Sequence, residues 1–155
     1  LHKEYRRQRQ MCIRDRSELM IKCEHNILIV GNTYSRVDNF FKGYSVPDSK
    51  YYDFTQINSD SDAERNDHAV SFIRDAMNSE EHIIIFNCVG WPDLGGGSAV
   101  SQFAMMARKF GKQLIVAVSE KDAIKLKDNF NIIGTLSYGK ENFIAMSHTK
   151  SEFCS

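Results

Sequence analysis

Residues 82–102 read HIIIFNCVGWPDLGGGSAVSQ and join a strongly apolar run to a glycine triplet. The run His82–Asn87 is typical of a strand that is buried on both faces of a parallel sheet. Three consecutive glycines then interrupt the chain, and Ser98 can cap a helix that we expect to reach about Lys109. Gly111 follows that helix and is the residue type that most often ends helices. This stretch therefore predicts the strand–loop–helix unit of an α/β protein.

The same alternation extends in both directions along the chain. We predict strands at 26–31, 51–55, 82–87, 113–119, 131–133 and 142–146, and helices at 61–78, 98–109 and 120–129. Ser61, with Glu64 three residues later, forms a capping box at the start of the first of these helices. The pattern indicates a three-layer α/β sandwich: a single domain built on a mostly parallel, Rossmann- or flavodoxin-like sheet of about five strands.

Composition excludes several classes of function. The 155 residues carry 20 Lys or Arg and 20 Asp or Glu, so no net charge attracts nucleic acid or an anionic membrane. No apolar run approaches the roughly 20 residues that a membrane span needs. The four cysteines show no metal-binding spacing and no disulfide framework. We therefore expect a cytoplasmic protein (in the host cytoplasm if it is phage-encoded) with no metal, no cofactor, no nucleic-acid partner and no membrane partner.

The first residues differ from the rest in charge. Residues 1–16 contain six Lys or Arg and two Asp or Glu, and a basic arm of this kind can bind nucleic acid. The string MCIRD at 11–15, however, resembles the translation of a transposon-type sequencing adapter. We therefore interpret residues 1–19 as a non-native or disordered leader and residues 20–155 as the α/β domain.

Ligands of parallel sheets bind beyond the carboxyl ends of the strands, and the loop within residues 87–102 is the richest candidate there. Glycines let the backbone approach a ligand closely, and the free N–H groups of a helix's first turn favour phosphate or carboxylate. Asp93 could accept a hydrogen bond from a sugar hydroxyl, and Trp91 could be a lid on the core or a flat wall for a base or sugar. The candidate ligand-binding residues are Gly31, Asn32, Thr33, Tyr34, Trp91, Asp93, Gly95, Gly96, Gly97, Ser98 and Gln102.

A family resemblance begins at this loop. Asp75, the pair Gly90-Trp91, the Gly/Ser-rich turn and the helix end ARKFGK at 107–112 resemble the nucleoside 2-deoxyribosyltransferase-like superfamily with its phage and bacterial members. The turn GGGS is also similar to the Gly-Gly-x-Gly-Thr turn of the nucleoside-monophosphate phosphoribohydrolases. The resemblance covers about residues 26–118. It implies a nucleoside or nucleotide ligand, chemistry at the N-glycosidic bond, and a homo-oligomer in which a neighbour completes the site.

The sequence departs from both families at the catalytic position. The families use a glutamate near the start of the helix after the turn, whereas residues 98–112 contain no Asp or Glu. The family position falls on Phe103 or Gln102, depending on the alignment. Glutamine can hold a ribose hydroxyl, but it cannot form a glycosyl ester or act as a general base. Only Asp93, or Asp75 and Glu64 from the preceding helix, could supply a catalytic carboxylate.

Three functions therefore stay open. We favour a non-catalytic protein that binds a nucleoside- or nucleotide-derived molecule, either as a sensor or as a phage-type anti-defence sponge for a signal. The first alternative is an active enzyme, a nucleoside deoxyribosyltransferase or a nucleotide N-glycosidase, with Asp93 or Asp75 as the acid. The second alternative is an oligomerising interaction module whose helix at 98–110 makes the subunit interface.

Overall fold

Strands and helices alternate along the chain in the computed structural model, which describes residues 26–31, 47–130, 132–137 and 143–148. The predicted leader at 1–19 lies outside these residues. The elements are β1 (Ile27–Val30), β2 (Ser49–Asp53), α1 (Asp62–Asn78), β3 (Ile83–Asn87), α2 (Ala99–Met106), β4 (Gln113–Val118), α3 (Glu120–Leu126), β5 (Ile132–Ser137) and β6 (Phe143–His148).

The described strands form one sheet in the order β2-β3-β4-β1-β5-β6. The first five are mutually parallel, and β6 lies antiparallel to β5. The α/β class and the mostly parallel sheet are thereby confirmed, with six strands where about five are predicted. The order of the described strands differs from 3-2-1-4-5-6 and from 2-1-3-4-5, the orders typical of Rossmann and flavodoxin sheets. Hydrophobic periodicity identifies strands, but their lateral neighbours depend on contacts distant in sequence.

The core lies between one face of the sheet and the three helices. Leu28, Phe86 and Val116 point into it and are completely buried, together with Phe103 from α2. Alternate residues of the same strands point to the opposite face. Ile29 is also buried there, as are its counterparts in β3 and β4, so both faces of the central strands are covered. Double coverage explains why these strands read as continuous apolar runs.

Helix α1 begins where the capping pattern predicts. Ser61 Oγ accepts a hydrogen bond from the Glu64 N–H at 3.4 Å, which confirms Ser61 as the N-cap. The Glu64 carboxylate accepts from the Ser59 hydroxyl at 2.6 Å and not from the Ser61 N–H, which donates to Ser59 Oγ at 3.2 Å. The reciprocal half of the predicted capping box is therefore not formed, and the glutamate anchors the incoming loop instead. With 17 residues, α1 is about 25 Å long and runs from the carboxyl edge of β2 to the amino edge of β3.

Two of the element ends that differ from the predicted ones have a local cause. β2 ends at Asp53, two residues early, because the Asp53 carboxylate caps a short 3-10 turn over Phe54–Gln56. Helix α2 ends at Met106 and continues as a 3-10 turn over Ala107–Phe110. Gly111 stops that turn with φ +70°, a left-handed conformation that glycine adopts without strain. No helix in the described part of the chain is long and apolar enough to cross a bilayer.

Candidate functional site

The carboxyl ends of β2 and β3 lie side by side, because Asp53 pairs with Asn87 in the register of the two strands. Asp53 accepts hydrogen bonds from the Thr55 N–H at 3.0 Å and from the Thr55 hydroxyl at 2.5 Å. Asn87 is completely buried and donates from Nδ2 to the Tyr51 hydroxyl at 2.9 Å. These contacts fix the starting points of the two loops that form the site.

The loop after β3 folds back at once over the end of the sheet. The Cys88 N–H donates to the Ala117 carbonyl at 2.8 Å, and the Trp91 N–H donates to the Cys88 carbonyl at 3.0 Å. Gly90 sits between them with φ +82°, a conformation that strains residues with a Cβ. Complete burial raises the pKa of the Cys88 thiol well above its ordinary value, so this cysteine stays a neutral core residue.

Trp91 serves as both core residue and cavity wall. It is 4 % exposed and packs edge-on against Phe54, with 5.3 Å between ring centroids. Its indole N–H has no hydrogen-bond acceptor in the described part of the protein. This burial fits a lid on the core, and a flat wall for a base or sugar stays a prediction.

A cavity of about 300 Å³ lies between the loops that follow β2 and β3, and we name it the carboxyl-edge cavity. Its lining combines apolar and aromatic side chains with two hydroxyl groups and one guanidinium. The lining residues are Phe54, Thr55, Ile57, Ser59, Arg65, Val89, Gly90, Trp91 and Pro92.

Arg65 forms hydrogen bonds and ion pairs with three residues at the rim of this cavity. Its Nη1 donates to the Ser59 carbonyl at 3.1 Å, and its Nε lies 3.5 Å from Asp93 Oδ2. Its Nη2 pairs with Asp62 three residues earlier on α1. The Arg65 side chain is 16 % exposed, so these contacts hold it against the protein. Sequence reasoning missed Arg65, because nothing in a local motif links it to the loop after β3.

The glycine triplet follows Asp93 in the chain, but none of its residues lines the carboxyl-edge cavity. A Cβ added at Gly95, Gly96 or Gly97 would meet open space. Gly97 has φ +87°, and its carbonyl accepts from Gln102 Nε2 at 3.2 Å. The predicted ligand-binding amide of Gln102 is therefore engaged with the turn itself.

Helix α2 starts as expected directly after the triplet. Ser98 is its N-cap and accepts from the Ser101 N–H at 3.2 Å. No acidic residue occupies the first turn, so the positive end of the helix dipole faces no carboxylate of its own. The hydroxyl of Ser98, a predicted ligand contact, is used as a cap.

Asp75 is held in another part of the molecule. Its carboxylate accepts from Lys50 Nζ at 2.6 Å and from the Tyr52 hydroxyl at 2.5 Å. Hydrogen bonds from Lys50 and then Tyr52 lower the pKa of Asp75 below its ordinary value. Ten residues of helix separate Asp75 from Arg65, a distance of about 15 Å along the axis. The two predicted catalytic acids, Asp75 and Asp93, thus do not lie together.

The structure describes only one of the candidates after β1. Gly31 is buried and its N–H donates to the Val118 carbonyl at 2.9 Å, which continues the sheet. Asn32, Thr33 and Tyr34 lie outside the described residues. Within the described ranges, no three His, Cys, Asp or Glu side chains form a group that could hold a metal ion.

The comparisons with known proteins assign no family to this architecture. No protein-family model matches the chain, and no curated protein matches it.

Proposed function

We propose that the protein binds a nucleoside-like or nucleotide-derived small molecule at the carboxyl-edge cavity and does not react with it. The observation that supports this proposal is the cavity itself: a hollow of about 300 Å³ whose lining combines apolar side chains with hydroxyl groups and a guanidinium. That volume lies at the lower end of the range typical of small-molecule sites, and the mixed lining is typical of them too.

The lining favours an uncharged, flat part of a ligand. Ile57, Val89 and Pro92 offer apolar surface for a base, while Phe54 is completely buried behind Trp91, which is 4 % exposed. The hydroxyl groups of Thr55 and Ser59 donate to Asp53 and Glu64, so they offer their oxygen atoms as acceptors. Asp93, whose side chain is 43 % exposed, is available to accept from a sugar hydroxyl. We name this arrangement a nucleoside site on chemical grounds, and the resemblance to deoxyribosyltransferases points to the same ligand class.

A phosphate group does not fit inside this rim. Asp62 and Asp93 already neutralise Arg65, and Asp60 and Glu64 add further negative charge nearby. A phosphate would be placed better at the start of α2, where the glycine triplet exposes backbone and no acid is present. The ligand would then extend from the cavity along residues 93–98 towards Ser98.

The arrangement of acids favours binding without catalysis. Asp93 faces Arg65, Asp75 is engaged with Lys50 and Tyr52, and α2 carries no carboxylate. A glycosyl-transferring enzyme needs a carboxylate free to attack or protonate the sugar. A sensor, or a sponge that sequesters a nucleotide-derived signal, needs only the binding site.

The experiment uses Trp91, the only tryptophan in the chain, as a fluorescent reporter. Purified protein is titrated with the common nucleosides, deoxynucleosides and their 5′-monophosphates, and melting temperatures are measured in parallel. We expect a saturable change in emission and a raised melting temperature with at least one of them. Val89→Phe, which fills the cavity wall, should abolish both effects, and Ile124→Phe on the exposed surface of α3 should leave them unchanged.

Two results would contradict the proposal. The first is the absence of any response to the whole panel, and the second is equal binding by Val89→Phe. Chromatography of the same mixtures tests the non-catalytic part, since release of free base would favour the alternative, an N-glycosidic-bond enzyme using Asp93.

Exposure of apolar side chains on α2 favours self-association as a second candidate function. Met105 is 69 % exposed, and Phe110, just after the helix, is 45 % exposed. Light scattering with size-exclusion chromatography tests the predicted homo-oligomer: Met105→Ser should lower the molar mass, and an unchanged monomer in both proteins would exclude it.

A further inference from the structure

A second and larger cavity lies at the opposite end of the sheet, and we name it the amino-edge cavity. Its volume is about 530 Å³. Among the residues that the structure describes, it shares no lining residue with the carboxyl-edge cavity. Helix α1, about 25 Å long, runs between the two edges. The lining residues that the structure describes are Asp48, His82, Ile83, Arg108, Gly111, Lys112 and Gln113.

Arg108 supplies a free guanidinium to this cavity. It lies in the 3-10 turn after α2, one turn before Gly111, and is exposed. Its side chain makes no ion pair and no hydrogen bond within the described residues, whereas Arg65 uses all of its nitrogen atoms. An unpaired guanidinium at a cavity wall is a donor for the oxygen atoms of an anion.

Lys112 adds a buried positive charge to the same wall. It is 6 % exposed, and its ammonium donates to the Ser79 carbonyl at 2.6 Å and also to the Glu81 carbonyl. These acceptors are neutral, and no carboxylate pairs with Lys112 in the part of the chain that the structure describes. Because a buried charge without a counter-charge is costly, an anion in the cavity would be stabilised by Lys112 through its field.

The single carboxylate of the described lining is already occupied. Asp48 accepts from the His82 N–H through Oδ1 at 3.2 Å, and its Oδ2 lies 2.7 Å from His82 Nδ1. The hydrogen bond with the His82 side chain is the largest cause of a lowered Asp48 pKa, so the acid is held ionised and turned to His82. One carboxylate against a guanidinium and an ammonium leaves the lining that the structure describes with a net positive charge.

We propose that the amino-edge cavity is a second binding site, for a small multiply charged oxyanion, anchored by the Arg108 guanidinium. A phosphomonoester and a compact dicarboxylate share this chemistry. The site stands apart from the nucleoside site of the proposed function, and neither depends on the other.

The experiment follows ¹⁵N-labelled full-length protein by NMR and calorimetry during titration with inorganic phosphate, phenyl phosphate and malonate. We expect the amide signals of Gly111 and Lys112 to shift in a saturable way with at least one probe. Arg108→Ala should weaken that binding about tenfold or more, as expected for loss of a charge-assisted hydrogen bond. Lys109→Ala is the matched control, because Lys109 is the neighbouring exposed cation and does not line the cavity.

Comparison of the three probes separates the sources of the oxyanion: phenyl phosphate binding alone identifies a phosphomonoester site, and malonate binding alone a dicarboxylate site. The proposal is overturned if no probe shifts Gly111 and Lys112, if Arg108→Ala binds as well as the wild type, or if the shifts occur only at Gly97 and Ala99. The last result would place the anion at the start of α2.

Discussion

Arg65 and Asp93 connect the first turn of α1 to the loop that follows β3, with 3.5 Å between Nε and Oδ2 across 28 residues of sequence. The same guanidinium donates to the Ser59 carbonyl in the loop after β2. One side chain therefore holds together the two loops that enclose the carboxyl-edge cavity. The shape of that cavity depends on Arg65 as much as on the residues that form its walls.

Replacement of Arg65 by alanine should destabilise the fold by about 1–2 kcal/mol, because Ser59 and Asp93 lose a half-buried partner. The matched control is Arg74→Ala, an exposed arginine of the same helix with no side-chain partner in the described residues, which should change stability little. Urea denaturation at pH 7 measures both. Equal midpoints for the two variants would show that the Arg65 contacts do not stabilise the fold.

Asp75 should make the protein less stable as the pH falls. Because hydrogen bonds from Lys50 and Tyr52 hold its pKa below the ordinary 3.8, its stabilising effect is present above that value. The effect is lost as the pH falls through the lower pKa of the folded state. Asp75→Asn should therefore be less stable than the wild type at neutral pH, and the difference should shrink below pH 3.8.

Thermal denaturation across a pH series measures this difference in stability between the wild type and Asp75→Asn. The control is Asp67→Asn, because Asp67 is an exposed aspartate of the same helix. Identical pH profiles for the wild type and Asp75→Asn would refute it. Nucleoside binding should survive in Asp75→Asn, since Asp75 lies far along α1 from the carboxyl-edge cavity.

A side chain at Gly97 should destabilise the fold, although space is available. At φ +87° an alanine is strained by about 1 kcal/mol. Gly96→Ala is the control, since Gly96 lacks a positive φ and a Cβ there also meets open space. In urea denaturation, Gly97→Ala should have a lower free energy of unfolding than Gly96→Ala. The reverse order would mean that the turn does not hold Gly97 in this conformation.

Lys112 should stabilise the connection between α1 and β3. Lys112→Met keeps the length of the side chain but leaves the carbonyls of Ser79 and Glu81 without their donor, which should cost about 1–3 kcal/mol. Lys109→Met, on the exposed surface of the same turn, should cost much less. An unchanged urea midpoint in Lys112→Met would mean that water replaces the ammonium at no cost.

Local sequence patterns predicted most of the secondary structure. Ser61, Ser98 and Gly111 each mark a helix end as expected, because caps and left-handed stops act within a few residues. The strand order escaped prediction, since β1 lies between β4 and β5 only through pairings such as Ile27 with Ile115 and Ile132. No periodicity encodes which apolar strand becomes the neighbour of another.

The candidate site was predictable in part for the same reason. Trp91 lines a cavity and Asp93 lies at its rim, because both belong to a loop that must leave the carboxyl end of β3. Asp75 and Arg65 lie on the same helix, but ten residues separate them. Asp75 therefore contacts Lys50 of β2 and does not reach the loop after β3. Arg65 could have been found only by asking which side chain of α1 reaches the loop after β3.

β2 is the outermost strand of the described sheet, and its sequence affects whether a further strand can add to that edge. An outermost strand offers backbone donors and acceptors to any extended peptide, and short, charged strands resist such additions. β2 has five residues, SKYYD, with a lysine and an aspartate around its two tyrosines. We therefore expect Lys50, which pairs with Asp75, also to disfavour the addition of a further strand at this edge.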